Sequence, residues 1–270
     1  MSLELYEEIA RLLRSGRAVA VATLVRSQGS TPRRSGTKMI VVDDGTARFS
    51  IGGGAFEAMV IEDARAAIRA GRGFEKEYRF KETGEGALGM VCGGSARVLF
   101  EVAAPPAVLF VFGAGHVGRE VVHLAARLGF ETTVADDRPA WLEAARFPEG
   151  TRLILVGHDY MEGMPAVRPA SCVAILTRCH RTDLAVLRHV AGGVPAYVGL
   201  IGSRRKAATL RSRALEQGVP AAILERLHAP IGLPIGAETP AEIAVSIMAE
   251  IVRERSAAAE ERAAEERRPR

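Results

Sequence analysis

Val108-Leu109-Phe110-Val111-Phe112-Gly113-Ala114-Gly115-His116-Val117-Gly118 decides the fold: an apolar run, a G-x-G-x-x-G turn, and the opening of a helical pattern. An apolar run bounded by glycine reads as a buried strand. The glycine fingerprint gains meaning only between a strand and a helix, which is its context here. Gly113 allows the tight turn, Gly115 lets backbone approach a pyrophosphate, and Gly118 lets the helix lie close to the strand. The helix N-terminus directs unpaired N–H groups at an anion. Asp136 and Asp137 end the next apolar run, Glu131 to Ala135, where a dinucleotide fold places an acid for the ribose hydroxyls. An acid there argues against a 2′-phosphate and favours NAD-like or other adenosine-type ligands. His116, inside the turn, either donates to a phosphate or simply faces solvent at the helix start.

Outward from this stretch, apolar runs alternate with helical patterns: His116 to Leu128, Leu153 to Val156, Cys172 to Thr177, Leu184 to Val190, Ala196 to Ile201 and Ser203 to Gln217. Such alternation specifies a parallel sheet, so residues 107–255 read as a Rossmann-type domain. Thr239-Pro240-Ala241-Glu242 opens its last helix, with Thr239 as N-cap and Glu242 reaching back in a capping box; the apolar face ends near Arg255. Ser256 to Arg270 contains only Ala, Glu, Arg, one Ser and one Pro, and is expected to fray or stay disordered. Upstream, Ala103-Ala104-Pro105-Pro106 halts both helix and sheet and marks a boundary. Residues 1–103 mix two helices, Leu3 to Leu13 and Ala55 to Ala70, with short strands, and read as a smaller α+β domain. In the first helix Leu3, Ile9, Leu12 and Leu13 form the expected apolar face. Lys38 to Val42 and Ala47 to Ile51 flank the hairpin signal Asp43-Asp44-Gly45. The expected architecture is thus α/β.

Composition excludes several classes. The net charge of +4 comes from interleaved Arg, Glu and Asp, with no basic block to track a nucleic-acid backbone. Three cysteines, Cys92, Cys172 and Cys179, make no disulfide framework and no C-x-x-C metal pair. No basic leader or bilayer-length apolar stretch occurs, so a cytoplasmic protein without membrane or nucleic-acid partners is expected.

Further loops carry chemistry at strand ends. Ser203-Arg204-Arg205-Lys206 places a capping serine and three cations at a helix N-terminus, where cations oppose the dipole unless an anion binds. His180 and Asp183, after Cys172 to Thr177, form either an acid/base pair lining the crevice or a local capping pair. In the first domain, the strip from Arg26 to Gly36, with Arg33 and Arg34, suits an oxyanion. Gly52-Gly53-Gly54 leaves bare backbone around Gly53 for close approach of a ligand or another strand. Cys92 sits between flexible residues of Gly89-Met90-Val91-Cys92-Gly93-Gly94, and reads either as an exposed reactive thiol or as a small buried side chain.

Taken together, these segments resemble the XdhC/CoxI family, accessory proteins that mature xanthine dehydrogenase and related molybdenum hydroxylases. The resemblance rests on Ser27 to Arg34, Gly52-Gly53-Gly54 with Glu57, Met90 to Gly94, Gly113 to Gly118, Asp136-Asp137-Arg138-Pro139, Thr177 to Asp183, Gly199 to Lys206, and His228 to Gly232 running into Gly236 to Pro240. Cys179 departs from the pattern, which has glycine before the histidine. The resemblance implies binding of molybdenum cofactor in its molybdopterin or cytidine dinucleotide form, help with its sulfuration, and transfer to an apo-hydroxylase. A cysteine desulfurase is the second implied partner. On that reading Arg33, Arg34, Arg204 and Arg205 meet phosphate, and Cys92 becomes the molybdenum-side or sulfur-handling ligand, since a soft thiolate suits a thiophilic centre.

Two other readings stay open on the sequence. One is an NAD-dependent oxidoreductase, with Asp136 on the ribose and His180 and Asp183 as acid and base; the other is a docking scaffold whose nucleotide pocket is vestigial. A homodimer is expected on general grounds.

Overall fold

The structure is a computed structural model, and it describes residues 3–29, 33–80 and 94–266. Cys92, with Met90, Val91 and Gly93 of its motif, lies outside the described residues, as do residues 30–32 of the polar strip. The chain divides into two compact units, Met1–Pro105 with Ala257–Arg270, and Pro106–Ser256.

The first unit is an antiparallel five-stranded sheet in the order β3-β2-β1-β5-β4. Its strands are β1 (Val19–Gly29), β2 (Lys38–Val42), β3 (Ala47–Arg48), β4 (Phe74–Phe80) and β5 (Gly94–Ala103). Alternation along the strands decides what covers each face. Ala20, Ala22, Leu24, Met39 and Val41 pack with Phe56, Val60 and Ala64 of helix α2 (Gly54–Ala70). Val19, Ile40 and Val42 point the other way and pack on Leu5 and Leu12 of helix α1 (Leu3–Arg14). Leu3 is 72% exposed and does not belong to that face. Leu5, Ile9 and Leu12 follow the helical period, whereas Leu3 lies about 200° around the axis from Leu5. The strand expected over Ala47 to Ile51 stops at Arg48, because Phe49 adopts φ 63° and turns the backbone out of the sheet.

The second unit holds a six-stranded parallel sheet in the order β11-β10-β9-β6-β7-β8. The strands are β6 (Val108–Phe112), β7 (Glu131–Asp136), β8 (Arg152–Leu155), β9 (Cys172–Ile175), β10 (Tyr197–Leu200) and β11 (Leu227–His228). Helix α3 (His116–Arg127) packs on one face through Val121, Val122 and Ala125, with Ala244, Ile247, Met248 and Ile251 of α7 (Pro240–Glu266). Helices α4 (His180–Ala191), α5 (Arg204–Glu216) and α6 (Ala221–Glu225) cover the other through Val186, Leu187, Leu210, Ala214 and Ile223. Parallel strands covered on both faces explain the near-continuous apolar runs. The order reverses between β6 and β9, and it is at such a switch point, beyond the strand C-termini, that these sheets bind ligands.

The capping box at α7 forms as read: Thr239 Oγ1 accepts from Glu242 N at 3.3 Å, and Glu242 Oε2 accepts from Thr239 N at 2.9 Å. The helix runs on to Glu266, past the Arg255 at which loss of the apolar face was expected to end it. Ala, Glu and Arg are strong helix formers, and neither Gly nor Pro interrupts them before Pro269.

Candidate functional site

The Gly113–Gly118 turn leads from β6 into α3 with its three fingerprint glycines in different circumstances. A Cβ on Gly113 would lie 2.4 Å from the Leu176 carbonyl oxygen, and one on Gly118 would lie 2.0 Å from the Gly113 carbonyl oxygen. Both glycines are therefore required by the packing of the protein itself. Gly115 is not. It is the N-cap of α3 at φ −65°, a conformation open to any residue, and a Cβ there would meet nothing within 4 Å.

Asp136, at the end of β7, is fully buried. Its Oδ2 accepts from Ala114 N at 2.7 Å and from Arg138 Nη2 at 2.8 Å, and its Oδ1 accepts from Arg138 N at 3.0 Å and Arg138 Nε at 2.8 Å. A carboxylate has about four acceptor sites. All are taken, so the ribose contact expected of Asp136 is not available in this conformation. The carboxylate instead fixes the glycine turn and Arg138.

Asp137, the second acid, is also consumed. Arg178, in the loop after β9, pairs with both its oxygens, and Asp159 N donates to Oδ2 at 3.1 Å. The guanidinium and that N–H hold the Asp137 carboxyl below its usual range, against the opposing effect of burial. Asp159 completes the cluster, 2.6 Å from Arg181 Nη2 and 3.5 Å from Arg178 Nη2. It and Tyr160 adopt φ 57° and 61°, a left-handed pair maintained where Tyr160 is buried beneath the turn. Asp137, His158 and Asp159 bring one metal-ligating atom each within 4.8 Å. Both carboxylates already face guanidinium groups, which makes this an ion-pair cluster and a poor metal cage.

His180 and Asp183, read as a pair at this loop, sit in unlike surroundings. His180 is exposed at the start of α4, whereas Asp183 is fully buried and turned inward. Asp183 Oδ1 accepts from Thr177 Oγ1 at 2.6 Å, and Lys206 Nζ of α5 lies 2.6 Å from Oδ2. Burial raises the Asp183 pKa, and Lys206 and Thr177 oppose that rise. The charge of His180 also acts on this acid, but its short contacts go to Thr177 and Lys206. Asp183 locks the start of α4 to the start of α5.

That pair also accounts for one of the three cations after Ser203. Ser203 Oγ caps α5 by accepting from Lys206 N at 3.2 Å, and Arg204 and Arg205 are exposed beside it. Cys179 is the N-cap of α4, and the Thr182 hydroxyl and amide keep its thiol pKa below the ordinary value. Cys172, in β9, is pushed up to about 11 by burial and is inert core.

In the first unit, Gly53 introduces α2 at φ 75°, which glycine adopts without strain. Its amide is not free for a ligand: Glu57 Oε2 accepts from Gly53 N at 3.1 Å and from Ser50 Oγ at 2.5 Å. Burial raises the Glu57 pKa, but these donors outweigh it and leave the carboxyl below its usual range. The two glycine turns thus share a device, a carboxylate of the protein seated on the turn's own amides. Arg33 and Arg34 are exposed.

Sequence reading missed the surroundings of Trp141, the single tryptophan. The guanidinium carbons of Arg138 and Arg146 each lie 4.7 Å from the indole centroid, and the His116 ring meets it edge-on at 5.2 Å. The available signal was the Asp136-Asp137-Arg138 run at a strand end, where an arginine beside the acid alters which ribose the site accepts.

Comparison with known proteins agrees with this architecture. Residues 109–251 match the family model described as the XdhC Rossmann domain, and residues 12–79 that of the XdhC and CoxI family. The chain is 37% identical over 252 residues to the uncharacterized protein YqeB of Escherichia coli, covering 93% of this chain and 46% of that one. It is 32% identical over 151 residues to a protein of Bacillus subtilis described as a probable xanthine dehydrogenase subunit, covering 56% and 44%. It therefore spans under half the length of these two relatives. The molybdenum cofactor insertion chaperone PaoD of Escherichia coli is 25% identical, with 88% of this chain and 84% of that one covered. A crystal structure described as a xanthine dehydrogenase from Bacillus halodurans shares the fold, with a TM-score of 0.51 at 21% identity over 93% of this chain and 95% of that one. With more than half of its length matched by the XdhC Rossmann domain alone, the chain belongs to the XdhC and CoxI family.

Proposed function

We propose that this protein is a molybdenum cofactor carrier that binds its cargo by the phosphate-bearing end and delivers it to an apo molybdenum hydroxylase. One observation carries the ligand reading: Gly115 is a glycine that neither its backbone angles nor its neighbours require, at a helix N-terminus facing open space. Close approach of a phosphate to that backbone gives the glycine a reason. The donor chemistry around it, Arg138, Arg146 and His116, fits an oxyanion. Membership of the family and the name of one relative as a cofactor insertion chaperone support the choice of cargo.

On this reading Cys92 is the soft ligand or sulfur acceptor, Arg33 and Arg34 are further oxyanion donors, and a cysteine desulfurase supplies the sulfur. The NAD-dependent oxidoreductase is the weaker reading, since Asp136 has no acceptor site left for a ribose diol and the buried Asp183 is already engaged by Thr177 and Lys206. Titration of the full chain with molybdopterin and, separately, with NADH tests the choice. Binding of the pterin without NADH turnover is expected; NADH oxidation with no pterin binding would overturn the proposal. Cys92→Ser is expected to abolish activation of the partner hydroxylase while leaving phosphate-end binding intact.

A further inference from the structure

The saturation of Asp136 changes which ligand the crevice selects. A Rossmann acid with free lone pairs accepts the two ribose hydroxyls and repels a phosphate; an arginine at that strand end does the reverse. Here the acid is neutralised by a bidentate bond to Arg138, and the group that faces outward is the arginine. Arg138 Nη1 has no acceptor among the described residues. Arg146 hydrogen-bonds the Ala140 carbonyl through Nη1 at 3.2 Å and forms no ion pair among the described residues, so its charge is uncompensated within the unit. Trp141 holds both guanidinium groups and the His116 ring against one indole, with separations of 4.7, 4.7 and 5.2 Å.

Arg146 also lines an open cavity of about 490 Å³ along α3, together with Arg119, His123 and Arg127, though His116, Arg138 and Trp141 are not among its lining residues. His116, Arg119, His123 and Arg127 recur at helical spacing, so one stripe of α3 carries donors from its N-terminus downward. Glu120 is the single acid among the cavity's lining residues, and it is paired to Arg119 at 2.8 Å.

We propose that Arg138, Arg146 and His116, organised by Trp141, form a receptor for a phosphate monoester dianion. The inference rests on the reading of the second unit as a phosphate-ligand domain, and it specifies the end of the ligand that is recognised. The same chemistry is presented by a nucleotide 2′-phosphate and by the terminal phosphate of molybdopterin. It is absent from NAD, whose phosphates are diesters in the pyrophosphate bridge. Arg138 and Arg146 contact the dianion, while Trp141 is a positioning residue that packs against both guanidinium groups.

Fluorescence of the full chain reads the site directly, because Trp141 is the only tryptophan. Titrations use adenosine, adenosine 2′-phosphate, inorganic phosphate and molybdopterin, with calorimetry as a second readout. Adenosine 2′-phosphate or molybdopterin is expected to bind at least tenfold more tightly than adenosine, the difference between the two marking the natural source. Arg146→Gln is expected to lose that advantage, Arg146→Lys to keep part of it, and thermal melts to show both variants folded. Equal affinity for adenosine and its 2′-phosphate, together with molybdopterin binding unchanged in Arg146→Gln, would overturn the receptor and leave the carrier function standing. Failure of every phosphate ligand to bind would remove both.

Discussion

Arg178, in the loop after β9, reaches across β6 to hold Asp137 at the end of β7, so one ion pair spans the strand that carries the glycine turn. The Asp137 side chain is 1% exposed and that of Arg178 is 35% exposed. A buried carboxylate held by a half-exposed partner gains from the pair mainly by not being left alone. Arg178→Ala is expected to cost about 1–3 kcal/mol in urea denaturation, the lower end reflecting solvent at the arginine. The pH dependence follows from the sign of the shift. Asp137 has a depressed pKa in the folded state, so its contribution is present above the unfolded carboxyl value of about 3.9 and is lost as pH falls through the folded value. Arg178→Ala should therefore flatten the acid side of the stability profile; an unaltered acid limb would show that Asp137 takes no part.

Gly115 and Gly118 are expected to separate packing from binding. Gly118→Ala drives a methyl against the Gly113 carbonyl and should destabilise by about 1–3 kcal/mol or more. Gly115→Ala meets nothing and should be neutral, or stabilise by about 0.4–1 kcal/mol through the unfolded chain. Yet it should weaken phosphate-ligand affinity, since the methyl occupies the approach to the amides. A Gly115→Ala variant that binds as tightly as the parent would leave that glycine without a ligand to explain it.

Much of this arrangement was legible beforehand. Strand–turn–helix alternation after Pro106, the role of Gly113 and Gly118, and the Thr239 capping box depend on local pattern, and local pattern is what a sequence displays directly. Asp136 shows where that reading stops. Its position at a strand end was plain, but its four hydrogen bonds depend on Arg138 folding back on it and on Ala114 N turning toward it. Lys206 gave the same difficulty: three cations at a helix start looked like one anion site until burial of Asp183, contributed by another helix, claimed one of them. Pairings over long sequence separations are settled by tertiary packing, which periodicity does not encode. The same holds for Trp141, whose neighbours come from α3 and from both sides of its own turn.

The Asp183–Lys206 pair makes the last prediction, because its two halves should fail differently. Asp183 is fully buried, and the Lys206 side chain is 19% exposed. Lys206→Met keeps the aliphatic length but leaves Asp183 with Thr177 as its main remaining partner, and breaking a buried pair in this way costs about 3 kcal/mol. Burial raises the folded pKa of Asp183 above its unfolded value, and removing Lys206 raises it further. A group of this kind binds its proton more tightly when folded, so its penalty is absent below the unfolded pKa and grows as pH rises through the folded one. Lys206→Met should therefore be most destabilised near neutral pH and recover toward pH 4, the reverse of the trend at Asp137. In Lys206→Met combined with Asp183→Asn the pH-dependent part should vanish, since no titrating group remains. Persistence of that dependence in the double variant, measured by denaturation at each pH, would mean that the buried charge at the α4–α5 junction is not Asp183.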